Sequence, residues 1–254
     1  MVMTVSFEWS NLSPLTWIFS LACGMLAGIT KAGLMGLNSL VVLIMANLFG
    51  GRASTGVVLP INIIADILAV HYYNHHARWK YVVRFMPWIL LGIMAGLLVG
   101  NFISDDLFKK ILAGTVFAGI AVMTRQDIGE QSVTVPEGWW FPMVLGISGG
   151  FATMVGNVGG PLMWLYLLAM RLPKYNLIGT ASCLFVLVGL SKIPLHVIFW
   201  KTVTLKTMAF DLLMAPAIVG GFYFGIRIVR AIPDKPYRIL ILASTLASTL
   251  LLLK

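Results

Sequence analysis

Long apolar runs alternate along this chain with short polar interruptions. The runs fall at roughly 15–30, 38–49, 54–73, 82–103, 107–124, 139–155, 160–170, 176–199, 207–229 and 236–253. Six or seven are long enough to cross about 30 Å of hydrocarbon at about 1.5 Å per residue. Two, 38–49 and 160–170, are too short, and each follows a glycine-rich interruption. The runs are continuous rather than alternating in short segments, which argues against a transmembrane β-barrel. The longest polar stretch, 125–138, divides the chain near its middle. The pattern predicts an all-α polytopic membrane protein. It has a first transmembrane repeat over 1–124, a polar linker over 125–138 and a second repeat over 139–254.

The two halves share a glycine register. Gly24 and Gly28 match Gly146 and Gly150; Gly33, Gly36 and Gly56 match Gly156, Gly159 and Gly179; Gly96 and Gly100 match Gly221 and Gly225. The order is kept while the offset drifts slowly, as small insertions produce. Each repeat holds four to five helical segments, one of them broken by glycine. Five crossings per repeat reverse direction, so the repeats are read as inverted; if the short segments re-enter, the repeats are parallel. A break recurring in both halves marks the substrate site in many secondary transporters. Backbone that leaves helical geometry inside a bilayer must be buried in protein or line an aqueous cavity. Half-helix N-termini offer N–H groups and a positive dipole end to anions.

Composition strengthens the membrane assignment. Of 254 residues, 59% are apolar and 11% charged, against about 25% charged in soluble domains. Mean hydropathy is +0.92. The net charge of +9 fits basic loops at an anionic leaflet. No block of five Lys/Arg points to nucleic acid. In a ten-crossing arrangement the loop charges favour one side (Arg78, Lys80, Arg84, Arg171 and Lys174 among them) and place both termini outside. Residues 1–14 carry Glu8 and no Lys or Arg, so the first apolar run is expected to stay as a helix rather than be cleaved. Cys23 and Cys183 lie in apolar runs with no metal or CxxC spacing.

The first break reads Gly28-Ile29-Thr30-Lys31-Ala32-Gly33-Leu34-Met35-Gly36-Leu37-Asn38-Ser39. Lys31 lies between two apolar runs, and a charge at that depth marks a pathway or a pair; snorkelling to the interface is the competing reading. The second break runs from Gly146 to Gly160-Pro161. Pro161 suits the first turn of a new helix, and Asn157 can offer an amide to a substrate oxygen. Close packing through small residues is the alternative. Asn62 and Asp66 share a helix face. Asp66 is a candidate for ion coupling or a structural partner for Lys192. Thr180 and Ser182 carry hydroxyls that can bind an oxyanion or bond back to their own helix. His71, His75 and His76 sit beside Arg78 and Lys80, which disfavours a metal. Trp79, Trp139, Trp140 and Trp200 fall at segment ends, as an aromatic belt requires. No catalytic motif appears, so no enzyme and no cofactor are expected.

The chain resembles the sulfite exporter TauE/SafE family of bacterial and plant membrane transporters over roughly 15–253. The resemblance rests on Gly28-Ile29-Thr30-Lys31-Ala32-Gly33, on the glycine-dense stretch Gly146 to Pro161, on Gly179-Thr180-Ala181-Ser182, and on the loop Arg78-Trp79-Lys80. It implies export or uptake of sulfite, sulfonates or related small anions across a bacterial cytoplasmic membrane. The departures are Leu37-Asn38-Ser39 after the first break, and Asn157-Val158 where relatives show a longer glycine run. The expected activity is secondary transport by alternating access. Lys31, Gly33, Gly36, Asn38, Asn157, Gly159, Gly160, Thr180 and Ser182 would bind substrate, and Asp66 and Asn62 would couple an ion. A carrier or channel for another small anion, such as a carboxylate, is the alternative. The expected partners are the anion and the lipid bilayer; a homodimer is compatible with the chain.

Overall fold

A computed structural model describes residues 13–34, 38–49, 51–99 and 138–234, with 236, 237, 239–241, 243, 244 and 247. The run 107–124, most of the linker, and Gly36 and Gly100 lie outside the described residues. Among the described residues the chain is helical, without strands. The helices are α1 (Pro14–Lys31), α2 (Asn38–Phe49), α3 (Gly51–Tyr73), α4 (Trp79–Val99), α5 (Trp140–Gly156), α6 (Gly160–Ala169), α7 (Lys174–Ile198) and α8 (Leu205–Ala231), with a 3₁₀ turn at Asn74–His76. Five helices, namely α1, α3, α4, α7 and α8, are long and apolar enough to cross a membrane. The run 139–155 becomes a 17-residue helix, about 26 Å long and just short of the hydrocarbon thickness. Large apolar side chains such as Ile18, Leu91, Leu98 and Leu212 are exposed, as lipid-facing surfaces require. The chain is an integral, multi-pass membrane protein.

Helix starts and stops follow local chemistry. Ser13 caps α1, its Oγ accepting from the Thr16 amide at 3.2 Å, with Pro14 behind it. A Thr204–Thr207 capping box opens α8. Pro161 lies in the first turn of α6. The proline rings at Pro60, Pro87, Pro194 and Pro216 stand inside long helices, which membrane-spanning helices tolerate.

Both short helices fold back along the long helix before them. The Trp17 ring on α1 and the Phe49 ring at the end of α2 pack on Phe210 at 5.3 and 5.7 Å. The end of α2 has therefore returned to the level where α1 starts. In the second hairpin, Tyr166 near the end of α6 stacks on Phe85 at 3.9 Å and lies 6.3 Å from Phe141 at the start of α5. Helices α3 and α7 run antiparallel: a Cβ on Gly189 would meet Ile63, and one on Gly179 would meet the Tyr73 carbonyl.

Two parallel helix pairs hold the hairpins in place. Gly28 of α1 lies against the backbone of Ile218 and Phe222 on α8, and Gly221 of α8 against the Met25 carbonyl. Gly150 of α5 lies against the Ile89 carbonyl of α4, and Gly92 of α4 against the Ile147 carbonyl. Small residues let backbones approach closely where hydrophobic driving force between helices is absent. At the far end of α8, buried Lys174 donates to the Val229 and Ile232 carbonyls at 2.7 and 2.6 Å, satisfying orphan carbonyls at a helix C-terminus.

These contacts set a stability test. Gly221→Val places a branched side chain into the Met25 carbonyl and should collapse thermal stability and monodispersity in detergent. Gly220→Ala, where nothing lies within 4 Å of the added Cβ, should leave the melting temperature unchanged.

Candidate functional site

Both interruptions end in one cavity of about 50 Å³ between α3 and α7. Lys31 reaches it from the last residue of α1, and Asn38 from the first residue of α2. Thr153 and Asn157 close it from the end of α5, and Gly160 opens α6 beside it. The α3 wall presents Asn62 and Asp66; the α7 wall presents Phe185 and Lys192.

At the first break the chain turns through Ala32 and Gly33. Gly33 has φ +133, a conformation that a side chain resists. The carbonyls freed by the turn are taken up by two tyrosines: Tyr73 donates to the Ala32 carbonyl at 3.1 Å and Tyr237 to the Gly33 carbonyl at 2.8 Å. At the second break Asn157 adopts left-handed φ 56, which asparagine tolerates at a helix C-terminus. The Asn157 and Val158 amides donate back to the Thr153 and Ala152 carbonyls at 3.1 and 3.3 Å. The described backbone at these two turns is thus hydrogen-bonded within the protein.

Two ammonium groups and one carboxylate define the electrostatics. The Lys31 Nζ lies 3.0 Å from both Asp66 oxygens and 4.5 Å above the Phe185 ring. Lys192 is 1% exposed. Its Nζ donates to the Thr153 carbonyl at 2.5 Å, to the Thr153 hydroxyl at 3.3 Å, and to the Asn157 side-chain oxygen. Three acceptors match the three donors of an ammonium group. With Asp66 ionised and both lysines protonated, the cavity wall carries one net positive charge.

The expected site residues divide. Lys31, Asn38, Asn62, Asp66, Asn157 and Gly160 line the cavity together. Asp66 pairs with Lys31, not with Lys192 as the sequence allowed. The Asn157 amide, read as a substrate contact, donates to the Thr55 carbonyl at 3.2 Å, so this residue ties α5 to α3. Gly33 is buried against Ile178, Val229 and Tyr237, and Gly159 against the Gly149 carbonyl and Thr153; both serve the turns rather than the wall. Thr180 and Ser182 are not brought to the cavity. The Thr180 hydroxyl donates to the Asn176 carbonyl at 2.6 Å and accepts from the Arg78 amide, while the Ser182 hydroxyl donates to the Ile178 carbonyl at 2.9 Å. His75 and His76 form the exposed 3₁₀ turn. Among the described residues no group of three metal-ligating side chains occurs.

Sequence reasoning did not assign Thr153, Phe185 or Lys192 to the site; Lys192 entered only as a possible partner of Asp66. Lys192 was legible by the argument applied to Lys31, a charge deep in an apolar run. Thr153 reads as one more hydroxyl inside the second glycine-rich stretch and Phe185 as one more apolar residue; only the packing of α5 and α7 around α3 brings them to the cavity.

Comparison with known protein families finds a match over residues 19–252 to the family model described as sulfite exporter TauE/SafE. Curated proteins and solved structures yield no match.

The ion pair generates a test that needs no substrate. Asp66→Ala leaves the Lys31 ammonium buried without its counter-charge and should destabilise the protein by about 3–5 kcal/mol. Replacing both partners, Lys31→Met with Asp66→Ala, should recover much of that loss. Thermal unfolding in detergent compares the two.

Proposed function

Because this chain belongs to the sulfite exporter TauE/SafE family, whose description is one of membrane sulfite transport, we propose that it is a secondary transporter whose central cavity binds sulfite. The observation that carries this reading is the meeting of two lysines, one carboxylate and two helix N-termini in one cavity at mid-helix depth of α3 and α7. Both ammonium groups are engaged by protein, so they act mainly as fixed charge. The direct contacts come from N–H donors: the first turns of α2 and α6, whose dipole ends are positive, and the amides of Asn38 and Asn62. Asn62 and Asp66, read earlier as coupling residues, belong in this arrangement to the substrate wall. Asp66 positions Lys31 and trims the wall to one net positive charge, suited to a monoanion such as hydrogen sulfite.

Size points the same way. At roughly 10–15 Å³ of such space per water molecule, about 50 Å³ takes about three to five water-sized bodies. That suits the four heavy atoms of sulfite, whereas a longer organosulfonate requires the walls to part.

An inverted repeat underlies the alternating-access part of the proposal. Three observations support it. The two hairpins occupy matching positions. The matched helices α3 and α7 run antiparallel. Gly56 of α3 abuts Thr202 beyond α7, while Gly179 of α7 abuts Tyr73 and Ala77 at and beyond the end of α3.

The experiment is sulfite counterflow in proteoliposomes, with thiosulfate, sulfoacetate and acetate as competitors. Saturable exchange of sulfite, resisted by acetate, is expected; acetate competing as well as thiosulfate would replace this reading with a carboxylate carrier. Lys192→Gln should weaken sulfite binding at least tenfold. Gly160→Ala, whose methyl group meets nothing within 4 Å and enters the cavity, should weaken it several-fold without changing the melting temperature.

A further inference from the structure

Among the described residues the polar cavity leaves a buried carboxylate unused. Asp211 on α8 is 1% exposed, and neither of its carboxylate oxygens has a hydrogen-bond partner among the described residues. Across the parallel α1–α8 seam, Ser20 is 0% exposed and its hydroxyl is likewise unpartnered. The register puts them at one level. Trp17 packs on Phe210 at 5.3 Å, and a Cβ on Gly24 would meet the Met214 Cβ at 3.5 Å. Ser20 lies between the first members of these pairs and Asp211 between the second. Each is six residues into its helix, about 9 Å from the helix start.

We propose that Asp211, with Ser20 beside it, is the proton-binding site to which anion movement is coupled. An ionised carboxylate without water, cation or hydrogen-bond donor is strongly disfavoured in such a seam, and intramembrane carboxylates mark proton and ion pathways. Among the described side chains no cation stands in for the proton. The charged residue of α1 is Lys31, which is held by Asp66. Helix α2 has no charged residue, and α3 contributes Arg52, Asp66 and His71. On α8 itself Lys206 is exposed, and Arg227 and Arg230 lie at the other end. Among the described side chains none of these partners Asp211. A metal ion would need several oxygen ligands; a proton needs one.

The step is a single O–H bond. Protonation of the carboxylate makes an acid that suits the closed α1–α8 seam. Loss of that proton to water leaves a charge that draws the seam open to solvent. Helix α1 carries Ser20 at one end and Lys31 at the cavity, so opening the seam moves a wall of the anion site. Where the proton binds rests on Asp211 and Ser20; what it is coupled to rests on the transport reading above.

The test uses wild-type protein, Asp211→Asn and Asp211→Glu. Infrared difference spectra between acid and alkaline pH should show a buried carboxylic-acid C=O band that Asp211→Asn lacks and Asp211→Glu shifts. In proteoliposomes at equal pH on both sides, Asp211→Asn should keep sulfite exchange within twofold of wild type and lose net sulfite efflux at least tenfold. If Asp211→Asn does not fold, the band shift in Asp211→Glu decides. Wild-type spectra without the band, a band untouched by Asp211→Glu, net efflux retained in Asp211→Asn, or net efflux that requires Na⁺ would each overturn the proposal. Sulfite exchange without the band defeats the proton site alone; the band without sulfite exchange defeats the sulfite reading alone.

Discussion

Charge and bare backbone inside a hydrocarbon slab must be answered from within the protein, and this requirement organises the structure. Lys31 and Lys192 enter one cavity, and each is met by fixed partners: the Asp66 carboxylate for the first, and the Asn157 and Thr153 oxygens for the second. The helix ends that surround them are answered in the same way, by the tyrosine hydroxyls of Tyr73 and Tyr237 and by the capping amides at Asn157. Antiparallel α3 and α7 supply the walls, and the parallel pairs α1–α8 and α4–α5 hold the hairpins against them. Remove the polar partners and the breaks lose the environment that makes them tolerable.

The cavity and the α1–α8 seam divide the work of one helix. Its C-terminal end brings a cation to an anion site; its N-terminal half brings a hydroxyl to the level of a lone carboxylate. The two polar places share no residue but are joined by α1, and this gives the proposed coupling a mechanical route without a chain of hydrogen bonds between them. Phe185 under Lys31 adds a ring face that accepts the cation without adding a second carboxylate that would repel an anion.

Much of this was legible in the residues. The helix positions follow from continuous apolar runs, with ends displaced by a few residues because amphipathic residues such as Trp79, Lys80 and Lys174 extend the helices past their apolar stretches. Lys31, Asn38, Asp66, Asn157 and Gly160 were visible as polar or glycine residues at the breaks, or at matched depth. Which of them touch was not visible. The Lys31–Asp66 pair depends on the angle at which α1 ends beside α3, and no spacing encodes that. Thr180 and Ser182 were ambiguous, because a Gly-Thr-Ala-Ser helix start has the same letters whether its hydroxyls face a ligand or bond back to their own helix, as they do in this structure. Asp211 was overlooked because it lies near the start of its apolar run, where a charge can be assumed to reach water; only the packing of α1 seals it in.

The pairing of α1 with α8 has a consequence for how the protein is made. The glycine face of α1 is covered by residues such as Phe222, nearly two hundred positions later in the chain. At synthesis rates of roughly 5–20 residues per second, α1 waits on the order of 10–40 s in the membrane before its partner emerges. Throughout that interval its Lys31 and its backbone-lined groove are without their final neighbours. Biogenesis of this fold therefore depends on the insertion machinery, or on the lipid itself, sheltering an unfinished first helix until the last described one arrives.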